Sequence, residues 1–400
     1  MVGAALQVVE GPESARGPCR FLDADALGSL LEALRGAGYT PIGPIQRDGA
    51  IVYGELRSTE DLPRGWTDHQ EGGRYRLERR DDGAWFGYGV GPHSWKSFLF
   101  PPALRLWSAE RQDGEVRFAP AEEPVPKFAF VGVRSCELRA MAIQDRVFLE
   151  GPLADPAYRA RREAALIVAV QCGSPGGTCF CQSLGTGPRA EGGYDLALTE
   201  VMEAGRHYFT VDVGTERGDE LLAKVPHRAA EASEESAARR VTDAAAGRMG
   251  RHLNTSGLRE LLAGNYEHPH WAEVAQRCLA CGNCTSVCPT CFCSTVDDVS
   301  SLSGQHAERW RRWDSCFTGD FSYIHGGEVR RSVASRYRQW LMHKFRTWVD
   351  QFGTTGCVGC GRCITWCPVG IDLTEELATF KTAARRRSSG IMLVEKGSLP

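Results

Sequence analysis

The sequence predicts an α+β protein in which an N-terminal mixed α/β domain is followed by an α-helical domain. Two compact apolar runs, at 127–133 and 164–170, are typical of buried strands. The clearest helix lies at 332–353, where large apolar side chains recur on one face and Gly353 ends the pattern. A segment rich in Ala, Glu and Arg at 228–250 is typical of a helical connector between the two halves. The predicted division is a mixed α/β domain at 1–227, a helical connector at 228–254, an α-helical domain at 255–390 and a tail at 391–400.

Shorter elements follow from local patterns. A helix is predicted over 23–35 because four leucines recur on one face. Residues 41–107 alternate short apolar runs with turn signals, which predicts antiparallel strands joined at the Asp-Gly pairs 48–49 and 82–83. A last helix is predicted near 373–386 from a capping-box spacing at its start.

The composition is that of a globular protein. Hydrophobic residues make up 42% of the 400 residues and charged residues 24%. Lys plus Arg (47) nearly balance Asp plus Glu (50), so no overall positive field would attract nucleic acid. No apolar run approaches the roughly 18 residues that a membrane span needs, and the N-terminus lacks the basic region of a secretion signal. We therefore expect a cytoplasmic protein with no nucleic-acid partner and no membrane span.

Cysteine is the unusual feature, with 16 thiols in a chain expected to reside in a reducing compartment. Structural disulfides are rare there, so the thiols predict metal or redox chemistry. Eight of them form two copies of C-x2-C-x2-C-x3-C-P, at 278–289 and 357–368. Three thiolates at this spacing bind three irons of one cubane, while the fourth binds the other cluster.

The two copies therefore predict two [4Fe-4S] clusters that exchange their fourth ligands. The predicted ligand sets are Cys278, Cys281, Cys284 and Cys367 for one cluster, and Cys357, Cys360, Cys363 and Cys288 for the other. Two zinc sites are the alternative, but zinc prefers paired C-x2-C knuckles and gains nothing from a third Cys at the same gap.

The surroundings of the two motifs extend this prediction. Gly282 and Gly361 each follow a predicted ligand, and a residue without a Cβ lets the backbone approach sulfide and direct N–H groups at it. The intervening segment, 289–356, is far longer than a compact bacterial ferredoxin needs and carries the long aromatic helix. We therefore expect this domain to be an α-helical ferredoxin-like domain.

Four further thiols fall in the first domain, at Cys136, Cys172, Cys179 and Cys181. They follow the two strand-like runs, so their loops can converge at one edge of the sheet and bind a third [4Fe-4S] cluster, which takes four thiolates. One alternative is that Cys136, at a helix N-terminus beside Arg134, is a reactive thiol of lowered pKa. The other is that all four thiols are unliganded and structural.

The remaining cysteines and the arginine-rich stretches predict less about function. Cys291, Cys293 and Cys316 are expected to pack near the clusters as small apolar groups, with an extra cluster ligand as the alternative, and Cys19 is assigned no role. The arginine-rich stretches 309–312, 329–338 and 385–387 are solvated helix faces or, alternatively, a docking patch for an acidic neighbour. No nucleotide-binding glycine motif follows a strand, and no catalytic residue is assigned.

Several segments together resemble a known family of iron–sulfur proteins. They are FAFVGVRSCELRAMAIQDRVFL, CGSPGGTCFC, CLACGNCTSVCPTCFC, WDSCFTGDFSYIHGG and GCVGCGRCITWCPVGID. They resemble the iron–sulfur beta subunit of cytoplasmic sulfhydrogenases, the NADP-linked [NiFe] hydrogenases, and the related electron-transfer subunit of anaerobic sulfite reductase. The resemblance covers about 127–375.

The resemblance implies an electron-transfer subunit of a multi-subunit oxidoreductase. The subunit would relay electrons between a flavin and NAD(P)H-binding subunit and the hydrogenase small and large subunits, without itself making or breaking substrate bonds. Attachment of the same relay to sulfite reductase subunits is the alternative. A third interpretation, from a different class, is a self-contained redox enzyme or sensor whose first-domain thiols react directly.

Overall fold

The computed structural model describes residues 17–120 and 124–382, and these residues form two main sheets surrounded by helices. The strands are β1 (Arg20–Asp23), β2 (Thr40–Arg47), β3 (Ala50–Glu55), β4 (Trp66–Glu71), β5 (Arg74–Arg79), β6 (Ala103–Gln112), β7 (Glu115–Pro120), β8 (Phe128–Val133), β9 (Leu166–Val170), β10 (Leu196–Glu203), β11 (Arg206–Val213), β12 (Arg228–Ala229), β13 (Ser294–Ser300), β14 (His306–Trp313), β15 (Tyr323–Ile324) and β16 (Gly327–Glu328).

Helices cover both halves of the described chain. They are α1 (Leu27–Gly36), α2 (Lys96–Leu99), α3 (Ser135–Phe148), α4 (Pro156–Ala164), α5 (Glu216–Leu222), α6 (Ala232–Ala246), α7 (Leu258–Ala263), α8 (His270–Arg277), α9 (Asn283–Ser286), α10 (Val333–Met342), α11 (Trp348–Phe352), α12 (Arg362–Thr365) and α13 (373–382). With the strands they make the protein a mixed α plus β structure.

The larger sheet is mixed and has the order β12-β1-β11-β10-β9-β8-β2-β3. Its central neighbours β2, β8, β9 and β10 pair in parallel, and the outer pairs are antiparallel. Val131 and Val168 pack into one core with α1, while Phe130 and Ile167 pack into a second core on the opposite face. Because strands buried on both faces need apolar residues at every position, they read as continuous apolar runs, as the sequence predicted.

The parallel strands also place the first-domain cysteines. Cys136 lies just after β8, at the start of α3, and Cys172 lies two residues after β9. Since the carboxyl ends of parallel strands meet at one edge of a sheet, the two loops emerge side by side.

The expectation of an entirely α-helical second domain is wrong at 294–313. These residues form the hairpin β13–β14, and β14 pairs antiparallel with β6 of the first half, giving a second sheet of order β13-β14-β6-β7. The physical reason lies in cross-strand contacts: the guanidinium of Arg309 lies 5.0 Å from the Trp107 ring centroid, and Arg105 donates to Glu308 at 2.8 Å. The ferredoxin-like detail of the prediction remains a proposal.

The other element predictions can be compared directly. The four leucines of the predicted 23–35 helix are buried in α1, and the pair 48–49 forms the turn between β2 and β3. The pair 82–83 is not a hairpin turn but part of the loop after β5. In that loop Asp82 accepts hydrogen bonds from the Arg80 guanidinium at 2.5–2.6 Å. Segment 332–353 is one continuous helical run through α10 and α11 that ends at Gly353, which has φ +69°.

The predicted connector and the predictions for the chain ends remain to be compared with the described residues. The connector contains α6, which packs on β10 and β11 of the sheet. The arginines at 385–387, the end of the last predicted helix at 383–386 and the 391–400 tail lie outside the described residues, as do residues 1–16 of the first predicted domain. Among the helices in the described ranges, none is both long and apolar enough to cross a bilayer.

The buried carboxylate of Asp195 stabilises the amino end of β9, the strand that leads to Cys172. It accepts hydrogen bonds from the Ile167 backbone N–H at 2.7 Å and the Thr215 hydroxyl at 2.6 Å, and from Arg217 at 2.9 and 3.1 Å. Replacing Asp195 with Ala leaves a buried N–H without its acceptor, so we expect Asp195→Ala to lower the free energy of unfolding by about 1–3 kcal/mol. Asp219→Asn, on the exposed face of α5, is the matched control and should change it by less than about 0.5 kcal/mol. Denaturant unfolding followed by circular dichroism measures both, and equal effects would contradict this role.

Candidate metal centres

The first group of predicted ligands, here called centre A, lies between two short helices that pack together. Its members are Cys278, Cys281, Cys284 and Cys367. Helix α9 begins after Gly282, which has φ +72°, and α12 begins after Gly361, which has φ +74°. Both are left-handed conformations that favour glycine. The side chain of Asn283 donates to the backbone carbonyl of Trp366 and so ties the two motifs together.

Cys367 of the second motif lies with the thiols of the first, as the exchanged-ligand prediction requires. Burial raises the pKa of Cys284, and so do the charges of Cys278, Cys367 and Cys281. The Ala280 N–H points at Cys278 Sγ at 3.4 Å, and the Ile371 N–H points at Cys367 Sγ at 3.4 Å. Such N–H···S contacts stabilise negative charge on sulfur.

The second group, centre B, brings Cys288 of the first motif near the thiols of the second and is more deeply buried. Its members are Cys288, Cys357, Cys360 and Cys363. Burial raises the pKa of Cys363, and the charges of Cys357, Cys288 and Cys360 raise it further. Burial likewise raises the pKa of Cys357 to about 12, while the Gly359 N–H donates to its Sγ at 3.4 Å.

The predicted third group, centre C, lines a single cavity at the edge of the sheet. Its members are Cys136, Cys172, Cys179 and Cys181. Burial raises the pKa of Cys179, and so do the charges of Cys181, Cys172 and Cys360. Centre C therefore lies beside Cys360 of centre B.

The environment of Cys136 argues against a reactive thiol of lowered pKa. Cys136 is only 7% exposed, and burial raises its pKa well above the ordinary value, as do the charges of Cys181 and Cys360. The Arg134 guanidinium, expected to activate it, instead donates to the carbonyls of Phe86 at 2.9 Å and Tyr88 at 3.0 Å.

The donor sets of the three centres fit iron–sulfur clusters. Each centre holds four thiols, the full ligand complement of a [4Fe-4S] cluster, and in a cubane each thiolate binds a different iron. Neighbouring thiols in each centre raise one another's pKa, so a cationic iron core would relieve the cost of ionising them together. Across residues 17–120 and 124–382, no three His, Cys, Asp or Glu side chains converge on a single-ion site.

Comparison with known proteins places the cysteines of centres A and B in a recognised type of domain. Residues 277–371, which contain all eight motif cysteines, match the 4Fe-4S dicluster domain. Over 256 residues the chain is 35% identical to sulfhydrogenase 2 subunit beta of Pyrococcus furiosus, covering 63% of this chain and 73% of the relative. The chain belongs to the sulfhydrogenase beta-subunit family. No solved structure matches it.

Family membership confirms the resemblance and gives the chain a broad role. A sulfhydrogenase beta-subunit homologue with a 4Fe-4S dicluster domain is an iron–sulfur, electron-transfer type of subunit.

A buried ion pair that the sequence analysis missed connects centres B and C in this family member. Arg362 lies between Cys360 and Cys363 in the chain, and Glu137 follows Cys136. The Arg362 guanidinium donates to the Glu137 carboxylate at 2.6 Å, and the two side chains are 0% and 1% exposed. Arg362 also donates to the carbonyls of Gly91 and His93, while Tyr53 and Trp95 donate to Glu137. The adjacency of each charged residue to a predicted ligand was the available sequence signal.

The other cysteines lie near the centres or far from them. Cys291 lies beside Cys288, and Cys293 lies beside Cys316. This placement agrees with packing near the predicted clusters and leaves the ligand alternative untested. Cys19 lies near Asp212 in a cavity that Gln171 and Arg189 also line, and burial raises its pKa to about 11.

The arginine-rich stretches within the described ranges are largely paired inside the chain. Arg309 binds Asp298 at 2.7 Å, and Arg336 binds Glu328 at 2.9 Å. Arg311 pairs with Asp155. Stretch 309–312 lies on β14 rather than on a helix, so the expectation of solvated helix faces is wrong there.

The Arg362–Glu137 pair provides a test of how the two centres are held together. We expect Arg362→Met to lower the apparent free energy of unfolding by about 3–5 kcal/mol, because it leaves the Glu137 carboxylate buried without its partner. The double variant Arg362→Met with Glu137→Gln should recover part of this loss, because no unpaired charge then remains. Anaerobic thermal unfolding of both variants measures this.

A matched control is Arg259→Met, which breaks an exposed ion pair with Asp350 and should leave the unfolding temperature nearly unchanged. A double variant that is less stable than Arg362→Met would contradict the role assigned to the pair.

Proposed function

We propose that this chain carries electrons through centres C, B and A in a soluble hydrogenase complex. It would pass them between a flavin and NAD(P)H-binding subunit and the [NiFe] hydrogenase small and large subunits, each cluster gaining and losing one electron at a time. The eight motif cysteines would hold two [4Fe-4S] clusters, and the four thiols of centre C would hold a third. The proposed division of the chain remains 1–227, 228–254 and 255–390.

The observation that carries this proposal is the order of the centres. Centre B lies between the other two: Cys179 Sγ lies 3.7 Å from the Cys360 carbonyl oxygen, and the charges of Cys363 and of Cys284 in centre A interact. The loop of Gly359 packs directly on that of Cys181, since the Phe180 N–H donates to the Gly359 carbonyl at 2.8 Å. A series of adjacent cofactors suits a relay.

The exposure of centre A supports a contact with a partner subunit at that end of the series. Three of the four thiols of centre B are buried, whereas Cys281 of centre A is exposed and the neighbouring Leu279 is 62% exposed. An apolar surface beside an exposed ligand suits transfer to a partner subunit. Centre A would thus be the end of the series that faces a partner.

The alternative of a thiol enzyme has less support from the site. The centre C thiols are buried or half-buried, and burial raises the pKa of each, whereas a reactive thiol requires a lowered pKa and access. The sulfite reductase assembly has no specific observation in its favour.

The relay can be tested in the purified complex. We expect a tagged chain, isolated anaerobically, to retain a flavin-containing subunit and a nickel-containing subunit, and the complex to reduce NAD(P)+ with H2. Cys360→Ala should abolish this reaction because it interrupts the series at centre B, while H2 oxidation with an artificial dye continues at the nickel subunit. Cys19→Ala, which removes a thiol that belongs to none of the three centres, is the matched control and should retain the full rate.

Two outcomes would contradict the proposal. One is isolation of the intact chain with siroheme-containing subunits in place of a nickel subunit. The other is unchanged NAD(P)+ reduction in Cys360→Ala although EPR shows that the centre B cluster is missing.

A further inference from the structure

Lys344 is a buried cation that contacts centre B. It lies in the helical run between α10 and α11, and the residue is only 3% exposed. Its Nζ lies 3.2 Å from Cys288 Sγ, 3.0 Å from Thr290 Oγ1 and 3.1 Å from the carbonyl oxygen of Gly356. The three contacts use all three N–H groups of an ammonium ion.

The hydrogen-bond pattern suits the charged form of the amine beside a thiolate. The Thr290 hydroxyl donates its own hydrogen to the Gly356 carbonyl at 2.7 Å, so it can only accept from Lys344. The Gly356 carbonyl is also solely an acceptor. The Lys344 amine must therefore donate to both oxygens, and the third N–H of an ammonium ion is then left for Cys288 Sγ once that sulfur is a thiolate.

A buried ammonium needs a negative partner, and Cys288 is the candidate. Within the described ranges, the ion pairs of the structure include no carboxylate bound to Lys344, and its other two contacts are neutral. Burying an uncompensated charge is strongly unfavourable. The sulfur of Cys288, once ionised by an iron–sulfur cluster, supplies the missing negative charge.

The backbone fixes this arrangement from two sides. The Gly356 N–H donates to the Lys344 carbonyl at 2.7 Å, and Gly356 directly precedes Cys357. The lysine therefore joins the last cysteine of the first motif to the first cysteine of the second. Its position relative to centre B is set by the fold rather than by a mobile surface side chain.

We propose that Lys344 raises the reduction potential of the cluster at centre B through a charge-assisted N–H···S bond to Cys288. This inference rests on the proposed function, because it requires a cluster there. One-electron reduction adds one negative charge to a cluster, and a fixed positive charge in a dry environment stabilises the reduced form. Lys344 would thus be a positioning residue of the relay. Its charge would make reduction of the cluster at centre B more favourable.

Lys96 provides an internal comparison. It is also a buried cation near the same thiols, but its ammonium lies 3.9 Å from the Trp313 ring centroid and donates to the Ser286 carbonyl at 3.4 Å. It acts on centre B through space rather than through a bond to sulfur. Its removal should therefore shift the potential by less than removal of Lys344.

The test is an EPR-monitored redox titration of the whole chain, with dithionite as the one-electron source. We expect Lys344→Met and Lys344→Gln to lower one midpoint potential and leave the others in place, with iron content unchanged. Lys344→Arg should keep this midpoint potential close to the wild-type value, because arginine keeps the positive charge. Arg346→Gln, which removes a half-buried charge from the same helical run, is the matched control and should leave every potential in place.

The results separate this inference from the proposed function. Cluster signals in the wild-type chain, together with unchanged potentials in iron-replete Lys344→Met and Lys344→Gln, would overturn the role of Lys344 alone. A shift in Lys96→Met as large as that in Lys344→Met would also overturn it. A wild-type chain without cubane signals would overturn both the proposed function and this inference.

A second measurement remains decisive if the neutral variants lose iron. In wild-type protein labelled with [15N]lysine, pulsed EPR of the reduced centres should detect a 15N nucleus coupled to a cluster. The coupling should persist in Lys96→Met and vanish in Lys344→Arg. Absence of any coupling in the wild-type protein would overturn the inference.

Discussion

The packing of two cysteine loops against each other is the contact on which the rest of the structure depends. Gly361 comes so close to Thr178 that a Cβ at residue 361 would lie 2.4 Å from its hydroxyl oxygen, and one at Gly359 would lie 2.7 Å from the Cys181 backbone. These distances exclude larger side chains. Together with the hydrogen bond from the Thr186 hydroxyl to the Val358 carbonyl at 2.7 Å, they place the sheet edge directly on the dicluster region. Without this contact the first-half thiols would have no neighbouring centre.

Buried charges hold and adjust this arrangement in different ways. Arg134 donates to backbone carbonyls that would otherwise lack partners, and Arg362 pairs with Glu137 between the two cysteine loops. Among the described residues Lys344 has no such carboxylate partner, and it donates to the Cys288 sulfur instead. Burying an uncompensated charge costs much free energy. The fold must therefore supply a negative group or a dipole beside each of these residues.

Local spacing predicted much of this molecule. The repeated cysteine motif determined which thiols lie together, and the continuous apolar runs identified β8 and β9. The β13–β14 hairpin was missed because its partner β6 lies almost two hundred residues earlier, and a local pattern cannot report pairing at that distance. Lys344 and Arg362 were missed for a related reason: within a helix or a motif, a charged residue reads as solvent-exposed, and its burial depends on tertiary contacts alone.

The most direct test of the account is the amount of iron and acid-labile sulfide per chain in anaerobically purified protein. Three occupied centres predict about twelve iron and about twelve sulfide, since each [4Fe-4S] cluster holds four of each. A value of about eight that Cys172→Ala and Cys179→Ala leave unchanged would contradict the account, because centre C would then hold no cluster and the series would end at centre B.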